Sequence, residues 1–417
     1  MKTSDLILTA REDRLQNIQR YLDQALICVK ANIPGKNKQI NNAYLLVRIF
    51  KNEIINKIKV FDISYFDSYD GPYYLIKVEN NLSLKKQLIE LEETHPLGRF
   101  IDLDFFSQSD KSVYRSDFNL PPRRCYLCGE YALICSRNKT HSLSDLLKHI
   151  NTEVERFFDN LIEELIDFAI MKELNLDDKF GLVTPTTSGS HPDMTYSLMI
   201  EAKLAIIPGL KKMFWIGYHS DDLSQCIIKA KRVGMTTEKA MYHATNNINC
   251  YKGLIFILGY VLTSAGYVVK HHQDIDDIFT NVKVMAKDVY QDMNYQTFGE
   301  KAYHEYQFGG ARGEAFSGLM NVRKAYECLD LLDDENLHIT LIKIIENADD
   351  SVMLKRAGSI VKYHYYKNLI TSIKNYDLAK IQHITNECIK ANISCGGAAD
   401  ILIAAIFICR FAKIYKK

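Results

Sequence analysis

The hydrophobic period is mixed in the first part of this chain and helical from residue 143 onward, and that restricts its fold more than any other feature of its 417 residues. Before residue 107, segments 44–50, 58–66, 73–78 and 100–106 are rich in β-branched and aromatic residues and predict strands. Gly71-Pro72 marks a turn before the third of them. Two helices accompany these segments. Thr9-Ala-Arg-Glu12 reads as a capping box, followed at helical spacing by Leu15, Ile18, Leu22, Leu26 and Val29 and ended by Pro34-Gly35. Residues 84–91 form the second, with Ser83 as its cap. From 143 to 174 the pattern is helical throughout: Leu143, Leu146, Leu147, Ile150, Val154, Phe157, Leu161, Leu165 and Phe168 recur every three or four residues. Beyond that no stretch alternates convincingly. The expectation is a multi-domain protein, with an α+β N-terminal domain containing a small sheet over 1–153 and a mostly all-α domain over 154–417.

Charge and composition exclude whole classes of function. With 52 basic and 51 acidic residues the formal net charge is +1, too little surplus for general nucleic-acid binding by counterion release. The opening residues contain no basic segment followed by a sustained apolar run, so a cytoplasmic location is expected. The apolar run 401–409, about half the length that spans a bilayer, predicts a buried core helix and no membrane partner. The ten cysteines are then expected as reduced thiols, with a metal site where they cluster.

Gly98-Arg-Phe-Ile-Asp102-Leu-Asp104-Phe-Phe is the most informative segment of the first domain. In a strand, Ile101, Leu103 and Phe105 face one side and Asp102 and Asp104 the other. Two adjacent carboxylates repel, and a divalent cation relieves that repulsion; taken alone, the pair also reads as a solvated strand face. His95-Pro-Leu-Gly-Arg-Phe-Ile-Asp-Leu-Asp, Leu120-Pro-Pro-Arg-Arg-Cys-Tyr-Leu-Cys, Cys135-Ser-Arg137 and His141 follow in order, after Arg11-Glu-Asp-Arg14 and Asn32-Ile-Pro-Gly35. Over residues 9–150 this series resembles citrate lyase holo-acyl-carrier-protein synthase, the apo-citrate lyase phosphoribosyl-dephospho-CoA transferase. The resemblance implies a nucleotidyltransferase-type reaction. A serine hydroxyl of the citrate lyase acyl carrier protein attacks the α-phosphate of triphosphoribosyl-dephospho-CoA, and pyrophosphate leaves. Asp102 and Asp104 are then expected to hold Mg²⁺ at the triphosphate, and Arg99 and Arg123 to grip phosphate oxygens. Cys125, Cys128, Cys135 and His141 have the residue types of a Cys₃His zinc site, although only the Cys-x-x-Cys half has the usual spacing; the alternative is small thiols packing a loop.

Four glycine-bearing segments stand out in the second half: Gly181-Leu-Val183 with Gly189-Ser-His191-Pro-Asp193; Asn249-Cys-Tyr-Lys252-Gly253; Gly309-Gly-Ala-Arg312-Gly313-Glu314; and Cys395-Gly396-Gly397-Ala-Ala-Asp400. Glycine lets backbone N–H groups approach phosphates where a helix begins, and equally serves caps and tight helix crossings. Lys252 and Arg312 suit a polyphosphate, whereas Asp193, Glu314 and Asp400 suit Mg²⁺ or proton transfer. In this order, with Thr297-Phe-Gly-Glu300, Asp350 and Arg356-Ala-Gly358, they resemble triphosphoribosyl-dephospho-CoA synthase from about residue 155 onward. That resemblance implies that the 2′-hydroxyl of 3′-dephospho-CoA attacks the anomeric carbon of ATP and that adenine leaves. The transition state is expected to be oxocarbenium-like, with an acid near the base and a base near the hydroxyl. Asp193 or Glu314 is the expected base or metal ligand, and His191 reads either as a proton donor or as a loop histidine bonding to backbone.

There are departures from the second family's pattern. Phe180 and Thr184 stand where a proline and an acid are expected, and Cys250-Tyr251 replaces Thr-His before the lysine. The histidine position is therefore not a required catalytic one here. The product of the second half is the substrate of the first, and fusion raises its effective concentration. The equivalent pathway serving malonate decarboxylase is a neighbouring reading. A zinc-stabilised module that only docks the carrier protein is a non-catalytic one.

Overall fold

A computed structural model describes residues 3–107, 112–291, 293 and 296–416. The chain divides into two compact units: residues 1–161 with 413–417, and residues 162–412.

In the first unit, α1 (Thr3–Tyr21) precedes β1 (Ala25–Ala31), α2 (Asn41–Ile55), β2 (Val60–Phe66), β3 (Tyr73–Val78), α3 (Ser83–Thr94), β4 (Ile101–Phe106), the short β5 (Ser112–Val113), α4 (Ala132–Asn138) and the first part of α5 (Leu143–Leu174). The strands pair antiparallel in the order β2-β3-β1-β4-β5. Four sequence expectations fail here. Thr9 does not start α1; it lies inside that helix and its hydroxyl donates to Asp5 O. Residues 25–31 form the central strand rather than the end of a helix. Residues 44–50 belong to α2, not to a strand. Ser83 is the first residue of α3 rather than its cap, and its N–H donates to Asn81 Oδ1.

The two sheet faces differ. Ile27, Val29, Ile76, Ile101, Leu103 and Phe105 are fully buried on one. On the other, Leu26, Cys28, Tyr73 and Leu75 pack with Ile18 of α1. Cross-strand register puts Cys28 opposite Asp104 and Lys30 opposite Asp102, so this second face becomes polar along β1 and β4.

The second unit is helical: the remainder of α5, then α6 (Tyr196–Tyr218), α7 (Leu223–Ala244), α8 (Lys252–Lys270), α9 (Asp277–Met285), α10 (Phe298–Tyr306), α11 (Gly310–Phe316), α12 (Met320–Cys328), α13 (Asp334–Asn347), α14 (Ser351–Ala357), α15 (Ile360–Thr371), α16 (Leu378–Lys390) and α17 (Gly396–Tyr415), whose last residues count with the first unit. Helices α6 and α8 cross with their backbones nearly touching. A Cβ on Gly217 would lie 1.9 Å from Thr263 O, and one on Gly266 would lie 1.9 Å from Phe214 O. Helix α8 is long and apolar enough to cross a membrane, but 78% of its apolar window is buried within the protein, as in a core helix. Residues 401–409 of α17 are likewise buried.

Candidate active sites

The first site lies on the polar sheet face. The alternation of β4 places Asp102 and Asp104 together and sends Ile101, Leu103 and Phe105 into the core. Asp104 stays open to solvent and makes no ion pair with a described residue. Dense surrounding protein, and then the Asp102 charge, push its carboxyl above the ordinary carboxylate range. Arg123 reaches this face from the loop before α4. Its guanidinium donates to Asp102 Oδ1 at 2.7 Å and to Ile101 O at 2.8 Å, and pairs with buried Glu92. Glu92 also accepts from Leu103 N–H at 2.8 Å, fixing β4 from behind. Arg99 donates to Arg124 O and contributes positive charge near Arg123. Thus Arg99, Arg123, Asp102 and Asp104 share one region, with Arg123 anchored on carboxylates.

The main cationic group was not assigned a role from sequence. Asp70 has no exposed side-chain surface and pairs with Arg11 at 3.1 Å, with Lys30 at 2.7 Å and with Arg14. Burial alone would raise the Asp70 carboxyl, but the bonds from Lys30 and Arg14 outweigh it and hold it below 3.8. Lys38 lies close enough to feel Lys30, Asp70, Arg11 and Asp102, and burial lowers its ammonium. Four cations therefore gather about one buried carboxylate. The surplus positive charge lies on the face that carries the two aspartates, an arrangement that receives a polyanion. The Arg11-Glu-Asp-Arg14 motif was the available signal.

Beside this site, ligand atoms of Cys125, Cys128, Cys135 and His141 lie within 4.8 Å of one another.

The second site forms where the glycine segments meet. A Cβ on Gly253 would fall 2.1 Å from Asp400 Oδ2, so the start of α8 abuts the first turn of α17. Asp350 joins two helix N-termini. Its carboxylate accepts from Val352 N–H and Met353 N–H of α14 at 2.9 Å and from Ala398 N–H of α17 at 3.1 Å. A Cβ on Gly397 would sit 3.0 Å from the same carboxylate, and one on Gly310 would sit 3.3 Å from Ser351 Oγ. Asp350 and its neighbour thus bring the third and fourth segments together. Burial, reinforced by the Asp350 and Glu173 charges, drives the Asp400 carboxyl well above the usual carboxylate range. Tyr251, in place of the expected histidine, is buried nearby, and its hydroxyl has no hydrogen-bond partner among the described residues.

The first segment docks on the residues preceding α17. Ser190 Oγ donates to Ile393 O at 2.5 Å. His191 accepts at Nδ1 from Arg356 at 2.6 Å, so its Nε2 carries the proton and donates to Ser394 Oγ at 2.7 Å. Burial, then the Arg356 charge, lowers the imidazole to about 4. Neutral and bonded at both nitrogens, His191 holds Arg356 in place; the proton-donor expectation for it does not fit this arrangement. Asp193 lies close enough to act electrostatically on His191, Arg356 and Cys250. Lys252 reaches Glu238 at 2.5 Å and is half exposed. Arg312 pairs with buried Glu300 at 2.8 Å, while Tyr290 Oη approaches Gly313.

Glu314 does not join the cluster as an acid or base. Its Oε1 accepts from Asn321 N–H at 2.7 Å and Val322 N–H at 2.9 Å, and its Oε2 from Asn321 Nδ2 at 2.8 Å. A carboxylate engaged by the N-terminal turn of α12 is a cap, which corrects its expected catalytic role. Asp350, not singled out as catalytic from sequence, occupies the centre instead.

Both units match known families. The model described as apo-citrate lyase phosphoribosyl-dephospho-CoA transferase covers residues 3–157. The model described as ATP:dephospho-CoA triphosphoribosyl transferase covers residues 159–417. The protein is therefore of the two-domain transferase class, one unit for each of two linked group transfers. The chain belongs to the fused family for biosynthesis and attachment of the citrate lyase prosthetic group. It is 32% identical to Protein CitXG of Leuconostoc mesenteroides subsp. cremoris, over 92% of this chain and 90% of that protein. It is 27% identical to Protein CitXG of Haemophilus influenzae, over 98% and 96%. A 2-(5''-triphosphoribosyl)-3'-dephosphocoenzyme-A synthase of Haemophilus ducreyi is 29% identical over 67% of this chain and 98% of its own length.

Proposed function

We propose that the second unit joins ATP to 3′-dephospho-CoA with release of adenine, and that the first unit transfers the product onto a serine of the citrate lyase acyl carrier protein by nucleotidyltransferase-type chemistry. The observation that carries the reading for the first unit is the pairing of Asp102 and Asp104 beside the Arg11, Arg14, Lys30 and Lys38 cations. The cations bind and orient the triphosphate. The carrier serine oxygen forms a new bond to the α-phosphorus, the bond to pyrophosphate breaks, and the serine proton passes to solvent water. Asp102 and Asp104 fit Mg²⁺: both are hard oxygen donors, and the burial and Asp102 charge that together raise Asp104 are what a dication offsets. Bound there, Mg²⁺ would neutralise charge on the triphosphate.

In the second unit, Asp400 acts as the acid toward the departing adenine, because burial beside Asp350 and Glu173 favours its protonated form. Lys252, Arg312 and the Arg356 held by His191 grip phosphates, with backbone N–H groups near Gly253, Gly313, Gly396 and Gly397. Asp193 is the base candidate.

The test separates the two reactions. Adenine release from ATP plus dephospho-CoA is followed by chromatography, and the mass gain of apo-carrier protein by mass spectrometry. Asp102→Asn is expected to abolish the mass gain and leave adenine release intact; unchanged transfer would remove the role given to this pair.

A further inference from the structure

We propose that Cys125, Cys128, Cys135 and His141 bind one Zn²⁺ ion, and that this ion holds the segment carrying Arg123 in shape. Four ligand atoms within 4.8 Å of one another are close to a closed shell. Tetrahedral zinc, with bonds of about 2.3 Å to sulfur and about 2.0 Å to nitrogen, needs ligand atoms roughly 3.5–3.8 Å apart, so movements of about 1 Å complete the site. His141 points the same way. Its Nε2 is buried without a hydrogen-bond partner among the described residues, which is costly unless something binds there.

The backbone turns as a metal knuckle does. Cys125 N–H donates to Glu130 O at 2.5 Å, Gly129 adopts a left-handed φ of 73°, and Leu127 N–H donates to Cys125 Sγ at 3.4 Å. An N–H aimed at sulfur supports a thiolate ligand. Cys135 comes from α4, and His141 from the residues just before α5.

The segment also buries little apolar surface of its own. Between residues 121 and 141 only Cys135 is buried, while Leu133 is 58% exposed and Ile134 44%. Apolar burial on that scale does not offset the entropy of ordering the chain, which is the circumstance in which small folds rely on a metal or a disulfide. Cys128 Sγ and Cys135 Sγ are 3.3 Å apart, a non-bonded separation, and a disulfide between them would leave Cys125 and His141 without a partner.

The knuckle has a direct line to the first site. Arg123 O accepts from Ala132 N–H at 3.0 Å, and Arg124 bridges to Tyr131, so the two ends of the turn fix the stretch from which Arg123 reaches Asp102 and Glu92. The four ligands are positioning residues.

The experiment uses the full chain purified under reducing conditions. Elemental analysis is expected to give one zinc per chain. Cobalt exchanged into the site should show the visible absorption of a tetrahedral thiolate complex. Cys128→Ser and Cys135→Ser should lose the metal, whereas Cys328→Ser should keep it. In the first two variants carrier-protein transfer should fall on the order of 10²-fold, the scale of a mispositioned group, while adenine release stays within about two-fold. The activity arm rests on the division of labour proposed above. The metal arm does not, so failure of one is distinguishable from failure of the other. Folded, reduced protein that holds neither zinc nor cobalt overturns the proposal. So does retention of zinc by both serine variants, or a Cys128–Cys135 disulfide trapped by alkylation.

Discussion

Replacing Asp70 by asparagine tests whether the cations of the first site are assembled around a single buried charge. The change keeps the side-chain shape and removes one negative charge that has no solvent exposure and three cationic partners. Breaking a buried pair by neutralising one partner costs about 3–5 kcal/mol. The cations retain 17%, 17% and 49% of their side-chain exposure, so water screens part of the repulsion left behind and the lower end, about 3 kcal/mol, is the working figure. Asp70 links α1 to β1 and to the turn before β3, so the loss should appear as local opening there. Amide hydrogen exchange read by mass spectrometry measures it: peptides covering residues 25–31 and 73–78 should exchange roughly 10²-fold faster, at about 1.4 kcal/mol per factor of ten. Pyrophosphate should restore protection more strongly in the variant than in the unaltered protein, because it supplies the missing negative charge. The pH dependence has a definite sign. The folded carboxyl titrates below 3.8, so its stabilisation is fully present above that value and is lost as pH falls through the folded pKa. Exchange in the variant within about three-fold of the original for both peptides would refute the account.

Three further outcomes follow from the second unit. Gly253→Ala would place a methyl group where the Asp400 carboxylate now sits, and that carboxylate can swing away; the fold should persist while kcat for adenine release drops on the order of 10²-fold, and an unchanged kcat argues against Asp400. Adenine release should decline as pH rises through the elevated Asp400 pKa and survive toward lower pH, with the alkaline limb absent in Asp400→Asn; a limb that persists in the variant belongs to another group. Glu314→Gln retains an oxygen acceptor for α12 but weakens charge-assisted bonds, so a loss of roughly 1–3 kcal/mol of stability with near-normal turnover per folded molecule is expected from calorimetry and steady-state rates.

The legibility of the fold tracks how each segment is buried. Helix α5 could be read to its ends because an amphipathic stripe repeats through Leu143–Leu174. Strand β1 was hidden because a central strand, covered on both faces, is a continuous apolar run with no alternation; Leu22, Leu26 and Val29 happen to continue the four-residue spacing of α1. Residues 44–50 misled in the opposite direction: α2 is buried over most of its surface, which suppresses the helical period. In the sites, alternation put Asp102 and Asp104 on one face, and the motifs around them, not the pair itself, marked that face as more than a solvated one. Asp70 was not, since its partners Arg11 and Arg14 lie 59 and 56 positions away. Glu314 looked like a ligand because a charged residue in a glycine-rich turn resembles one; only coordinates reveal that the N–H groups of Asn321 and Val322 claim it.

Residues 413–415 end the last helix of the synthase half, yet with Lys416 they complete the other half. Asn52, 1% exposed, donates its side-chain amide to Ile414 O and Lys416 O, and Arg48 stacks on the Tyr415 ring. A protease cut or a gene split near residue 158 would therefore strand a buried amide without acceptors in the N-terminal fragment. The two pieces should behave as a complementing pair, the first recovering its stability when the second is supplied in trans, rather than as two freely separable enzymes.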